Sequence, residues 1–422
     1  MEKLHSEITP LEAPASKKWN KKQALRHIIM HIAAVTAVVL LIFRVAKSTK
    51  PSFPKHHYHP GTCSKNVLSA FQDAEHSNVT INTNPLDPFE NAKLSAINKT
   101  AYECWQFDAV SAEGTQGVGI YFCRDPAFLG LHKGVTMLEF MSTWANGTEY
   151  NTVLFANEST IETCDEYTTG RWTGQGLDLE FKITNYLSQA EIFLSSPQIS
   201  GYLVLHSTAP AHYPDGSLYP SFDASVSLAP HYNWVDPFPS ARANVHLEIN
   251  NESFEISHGS GGHDHIFAAF QWTQIAKYWY SMRFITGPYT LRYYEYQSRV
   301  DGKYYVSAYL SEYGRQIFST TYGPENTSGK FAVLRPYEGP GIHGGHSDQS
   351  TGWEVSLVDV EADQEWYFIE KHKNILYPGP PSSKDQRIEY DRFVGTTTGG
   401  SSGGEQYQGV SIGEQVAIID PS

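Results

Sequence analysis

The chain has 422 residues, 18% of them charged and 13% aromatic, with 26 Tyr and 9 Trp. Its formal net charge of −14 excludes a nucleic-acid partner, which needs a basic face. The length allows two domains, and the aromatic content favours strands, where such side chains suit a pleated, half-buried surface.

Residues 1–27 read as a cytoplasmic tail and 28–46 as a transmembrane anchor. Residues 28–43 are predominantly apolar, with His31 the only ionisable residue, a stretch short enough to rely on flanking side chains that snorkel. Lys17, Lys18, Lys21, Lys22 and Arg26 precede it, against Arg44, Lys47 and Lys50 after it. This asymmetry predicts a cytoplasmic N-terminus, hence a single-pass type II protein of the secretory pathway whose main domain is lumenal or extracellular. A cleaved signal peptide is the alternative, but its charged region would be long and no small-x-small site follows. Residues 47–62 form a stem. Six sequons, at Asn78, Asn98, Asn146, Asn157, Asn251 and Asn326, all follow the anchor, as expected of a glycosylated lumenal domain.

Four cysteines allow three pairings. Residues 102–110 and 117–123 read as two strands around a turn centred on Glu113-Gly114. That register sets Trp105 opposite Phe122, Phe107 opposite Ile120 and Ala109 opposite Val118, with Cys104 opposite Cys123 on the other face. The pairing expected is Cys104–Cys123 and, by elimination, Cys63–Cys164. Free buried thiols are the alternative, disfavoured in an oxidising compartment.

Short alternating segments continue at residues 177–184, 200–206, 243–250, 278–285, 290–299 and 303–312, a spacing that marks an all-β sandwich or barrel. Asp301-Gly302 signals a hairpin that pairs Gln297 with Val306 and Tyr294 with Tyr309. Its faces both carry tyrosines, as either a cavity wall or an ordinary Tyr-rich sheet would. The Pro-rich stretch 229–239 reads as an interdomain crossing, which divides the chain into an N-terminal domain, 63–235, and a C-terminal one, 236–395. Thr396-Thr397-Thr398-Gly399-Gly400 and the Ser/Gly run after it read as a linker, so 396–422 is expected to be a flexible tail.

The densest chemical patch is Gly261-Gly262-His263-Asp264-His265. Glycines there suggest a bend that a ligand approaches closely. His263 and His265 are open to three readings: structural packing, acid/base chemistry or metal ligation. His343 and His346 are a second pair that would complete such a site. Arg283, among aromatic residues, is either a donor aimed at a carbonyl oxygen or a structural cation. Hydrolase, zinc-protease and dinucleotide motifs are absent from the sequence.

Trp105-Gln106-Phe107-Asp108-Ala109-Val110, the crossing at 231–237, Gly261 to His265, and the spaced Trp279, Arg283 and Gly287-Pro288-Tyr289 together resemble the double lipocalin-like family related to hydroxyneurosporene synthase. The branch most similar is that of the fungal Diels–Alderases and hetero-Diels–Alderases. The resemblance implies two lipocalin-like domains, β-barrel or sandwich, with an apolar small-molecule substrate such as a polyene, terpene or quinone-methide precursor near their junction. It implies a pericyclic reaction that needs no metal or redox cofactor. On that basis His263 and His265 are expected as acid/base or hydrogen-bonding groups, Asp264 as the group orienting an imidazole, and Arg283 as the oxyanion donor. Trp234, Trp272, Trp279, Tyr289, His343 and His346 are the expected substrate contacts. A hydratase, dehydratase or isomerase, a lipocalin-type carrier, and an adhesive sandwich are the rival readings.

Overall fold

In the computed structural model, described for residues 63–70, 78–126, 134–326, 328–342, 349–379 and 387–419, the chain is all-β. The expected tail, anchor and stem (1–27, 28–46 and 47–62) and the pair His343 and His346 lie outside the described residues. Among the described residues no helix is long and apolar enough to cross a membrane.

The strands are β1 (Ser64–Ser69), β2 (Tyr102–Val110), β3 (Gly117–Arg124), β4 (Thr136–Thr143), β5 (Glu149–Phe155), β6 (Glu158–Thr163) and β7 (Tyr167–Gly174). Next come β8 (Leu177–Thr184), β9 (Gln189–Ser195), β10 (Ile199–Ser207), β11 (Ser227–Ala229), β12 (Tyr232–Ile249) and β13 (Glu252–Ala268). The short helix α1 (Trp272–Ile275) leads into β14 (Ala276–Thr286), β15 (Tyr289–Ser298), β16 (Tyr304–Glu312), β17 (Arg315–Thr320) and β18 (Lys330–Tyr337). The chain ends through β19 (Gly352–Asp359), β20 (Gln364–Tyr377), β21 (Arg387–Ser401) and β22 (Tyr407–Ile419).

β1 to β13 make one curled 13-stranded sheet and β14 to β22 a second of 9 strands. Each wraps its own apolar interior, and a third apolar cluster lies where the two meet. Burial patterns show where that junction falls. β12 is buried on both faces from Tyr232 to Ala241 and alternates thereafter, while β2, β3 and β4 are buried on both faces almost throughout. These strands are a wall, with the first sheet's interior on one side and the junction on the other.

The hairpin register holds: Trp105 pairs with Phe122, Phe107 with Ile120, and Cys104 with Cys123. Both disulfides form, Cys104–Cys123 and Cys63–Cys164. The later hairpin is offset from expectation, with Gln297 opposite Tyr304 and Tyr294 opposite Ser307. Its turn is longer than two residues, because Ser298 Oγ accepts from Val300 N and the Asp301 carboxylate accepts from Lys303 N.

Two expected boundaries are corrected. The division at 235/236 falls inside β12, and the passage between sheets comes later, between β13 and β14. Asp236 and the prolines near it belong to a bulged stretch of β12, with register shifts at Val235/Phe238 and Phe238/Ala241. Residues 396–401 and 407–419 are not a flexible tail but parts of β21 and β22, the latter lying between β14 and β21 in the middle of the second sheet. The glycines misread as linker are packing requirements. A Cβ at Gly399 would lie 2.3 Å from Tyr367 O.

Candidate active site

The residues flanking the wall determine two very different environments. On β2 and β13, odd-numbered positions point into the first sheet. His263 lies flat against Phe107 at 4.1 Å and His265 against Trp105 at 4.4 Å. His263 bonds Gln106 O through Nδ1 (2.8 Å) and Glu90 Oε2 through Nε2 (2.9 Å). His265 bonds Phe89 O through Nδ1 (2.7 Å) and Glu103 Oε1 through Nε2 (3.2 Å). Both rings are fully buried. Burial opposes a charge on His263, but Glu90 and the Gln106 carbonyl outweigh it and raise its pKa. These rings clip the segment around Glu90 into the barrel. Neither reaches the junction.

Even-numbered positions point the other way. Asp264 therefore orients no imidazole. It accepts from Trp234 Nε1 (3.0 Å) and Arg292 Nη2 (3.1 Å). Arg283 donates to Pro239 O (2.8 Å) and to the Asp108 carboxylate. Its guanidinium rests on Gly262, where a Cβ would lie 2.2 Å from Cζ. The glycine-rich run is thus no ligand-binding bend. It is a stretch of β13 thin enough to admit an arginine from the opposing sheet. Arg283, Arg292 and Asp236 lock the sheets together, and Trp234 braces them. Tyr289 faces the second sheet's interior, against Phe368 and Tyr407.

Between the sheets lies a cavity. One wall is Tyr102, Cys104, Gln106, Tyr121, Cys123 and Glu139 of β2 to β4, with Tyr232 and Ile266. The other is Trp279, Tyr294, Tyr296, Tyr390, Arg392 and Glu414 of the second sheet, with Trp272 of α1. Trp272 and Trp279 meet edge to face at 5.5 Å. A small polar chamber adjoins it, sharing Gln106, Tyr121, Arg392 and Glu414 and reaching Asp108, Asp264 and Arg292.

Arg392 donates to the Glu414 carboxylate and to Tyr390 Oη (2.9 Å), and lies over the Tyr121 ring at 4.3 Å. Trp279 Nε1 donates to Glu414 Oε1 (2.8 Å). Burial drives the Tyr102, Tyr232 and Tyr294 hydroxyls far above their ordinary range, so they remain neutral donors. Tyr102 Oη, Tyr296 Oη and Glu139 Oε1 are buried with no hydrogen-bond partner among the described residues. Burial first, then the carboxylates of Glu414 and Asp125, push Glu139 up to about 8.

A family model described as Diels-Alderase-like matches residues 60–419. The chain belongs to the Diels-Alderase-like family. Diels-Alderase poxQ of Penicillium oxalicum is 32% identical over 363 residues, covering 86% of this chain and 77% of that protein. Diels-Alderase ffsF of Aspergillus flavipes is 30% identical over 85% of this chain and 87% of its own length. The role of this Diels-Alderase-like chain is that of a Diels–Alder cyclase, an enzyme of pericyclase type. A crystal structure of CghA with Sch210972 matches in fold with a TM-score of 0.71 at 20% identity, over 85% of this chain and 100% of that one.

Among the described residues expected as catalytic groups or substrate contacts, Trp272 and Trp279 line this cyclase's cavity and Asp264 lines the polar chamber beside it. Arg392 and Glu414 were hidden by the linker-like composition around them. Glu139 carried a signal that sequence reading can use: Met137-Leu138-Glu139-Phe140-Met141 is an acid alone in an apolar strand, and a buried carboxylate needs a reason.

Proposed function

We propose that the junction cavity binds a linear polyene or quinone-methide precursor of a natural product and folds it for an intramolecular Diels–Alder or hetero-Diels–Alder reaction, without metal or redox cofactor. Three π bonds become two σ bonds and one π bond, with every atom retained. So little charge moves that the rate gain comes mainly from holding both reacting ends in a near-attack geometry. The observation that carries this reading is a cavity walled by rigid aromatic rings, with buried hydroxyl and carboxyl groups lacking partners. Trp272, Trp279, Tyr294 and Tyr296 press on the chain of the substrate. A donor aimed at a carbonyl conjugated with the reacting alkene stabilises charge that grows on that oxygen in the transition state.

The test is incubation of the full chain with a synthetic polyene that bears a tethered, acyl-activated alkene. The expected result is loss of diene absorbance and a cyclic product of unchanged mass, undiminished by dialysis against chelator. Tight binding with no turnover would instead mark a carrier, and activity restored only by zinc would overturn the cofactor-free reading.

The main domain is read as lumenal, behind a type II anchor. Two disulfides and the exposed positions of Asn78, Asn146, Asn157 and Asn251 support this placement. Endoglycosidase treatment of the protein from its source should shorten its apparent mass; no shift argues against it.

A further inference from the structure

Glu139 stands out in the cavity as an acid with no cation of its own among the described residues. It projects from β4, on the same face as Met137 and Met141, and is buried to 4% exposure. The charged and titratable groups around it come from four elements. Glu414 faces it from β22, Asp125 from the end of β3, Tyr377 from β20 and Tyr390 from β21. Arg392 of β21 lines the same cavity but is committed to Glu414 and stacked on Tyr121. A buried carboxylate beside two others, in a cavity whose arginine is already paired, keeps its proton.

We infer that Glu139, in its neutral form, is a further catalytic residue, donating a hydrogen bond from its carboxyl to the substrate carbonyl conjugated with the reacting alkene. The inference rests on the cyclase reading of this cavity. It separates Glu139 from the tyrosines around it by acidity. A donor whose pKa lies near the working pH interacts more strongly with growing oxyanion charge than a phenol whose pKa burial has raised further. No proton is transferred overall: the carboxyl shares its hydrogen more fully at the transition state and keeps it in the product complex. Deprotonation turns the same oxygen into an acceptor that repels the carbonyl. Activity should therefore be highest below a pH of about 8 and fall above it.

The experiment has a binding arm and a turnover arm, both on the full chain. In the first, a linear conjugated polyenyl methyl ketone, which cannot cyclise, is added while its absorbance and the tryptophan fluorescence are followed. A hydrogen bond to its carbonyl shifts the absorbance to the red. The wild type should show the shift at pH 6–7 and lose it as pH rises through about 8. Glu139→Gln should keep a smaller, pH-independent shift, since the amide still donates, and Glu139→Ala should lose it. In the second arm, turnover of the tethered polyene should drop about 100-fold in Glu139→Ala and stay within about tenfold in Glu139→Gln, with the fall above pH 8 abolished.

A red shift that survives in Glu139→Ala, or a wild-type profile flat across pH 6–10, overturns the inference while leaving the cavity as the binding site. Failure of the ketone to quench the tryptophans or shift at all removes the cavity reading and the inference with it. A pH-dependent shift in a protein that turns over no polyene supports the Glu139 hydrogen bond and counts against the cyclase reading.

Discussion

The two faces of the wall formed by β2 and β13 are both buried, both rich in aromatic and ionisable side chains, and chemically opposite. On the inner face, all four imidazole nitrogens of His263 and His265 have partners and each ring is stacked. On the junction side, Tyr102, Tyr296 and Glu139 line the hollow with buried polar atoms that have no partner among the described residues. Polar groups that saturate one another are structure. Polar groups left unsatisfied beside a hollow are poised for a ligand that completes them. Residue type does not distinguish the two situations, and Glu90 Oε1 and Glu103 Oε2 lack hydrogen-bond partners on the inner face too; the hollow beside the unused groups does.

The sharpest way to break this contrast is to exchange the faces by mutation. His263→Ala should be the most damaging change to stability, about 3–5 kcal/mol, because it strands the Glu90 carboxylate in the barrel interior. Thermal unfolding should register it, while turnover per folded molecule stays near wild type. Lost turnover with unchanged stability would reverse the assignment of the two faces. Trp279→Ala should do the opposite: turnover falls about 100-fold, or about 2.7 kcal/mol, from loosened substrate geometry. The smallest effect concerns Glu139 and sharpens the comparison through pH. Its folded pKa, about 8, stands above the ordinary 4.5. The folded state therefore keeps a proton that the unfolded chain releases, and wild-type stability declines as pH rises across that window. Glu139→Gln should flatten the decline and gain on the order of 2 kcal/mol at pH 9. Denaturant titration at pH 5 and pH 9 reads the difference; an unchanged slope would mean Glu139 ionises normally.

Much of the fold was legible because strand alternation is local. β2, β8 and the Cys104–Cys123 register follow from a period of two and a turn between apolar runs. The offset at Asp301-Gly302 arose where side-chain bonds from Ser298 and Asp301 lengthened the turn. Around the site, local reading did less well. Gly261-Gly262-His263-Asp264-His265 looked like a loop built for a ligand, and Gly399-Gly400 looked like a linker. In each case the glycines are there because another strand or side chain needs the room of a Cβ.

By itself, the sequence determined an all-β chain with two disulfides, one correct hairpin register and a resemblance that led to the right family. Those depend on spacings within a strand or between neighbouring strands. Which face of β13 borders a cavity was decided only by the tertiary structure. The packing of a second sheet, more than a hundred residues away along the chain in β21 and β22, makes one face a cavity and leaves the other a core. It also sets Glu414 against Glu139, and that meeting of two carboxyl groups cannot be read from either strand alone.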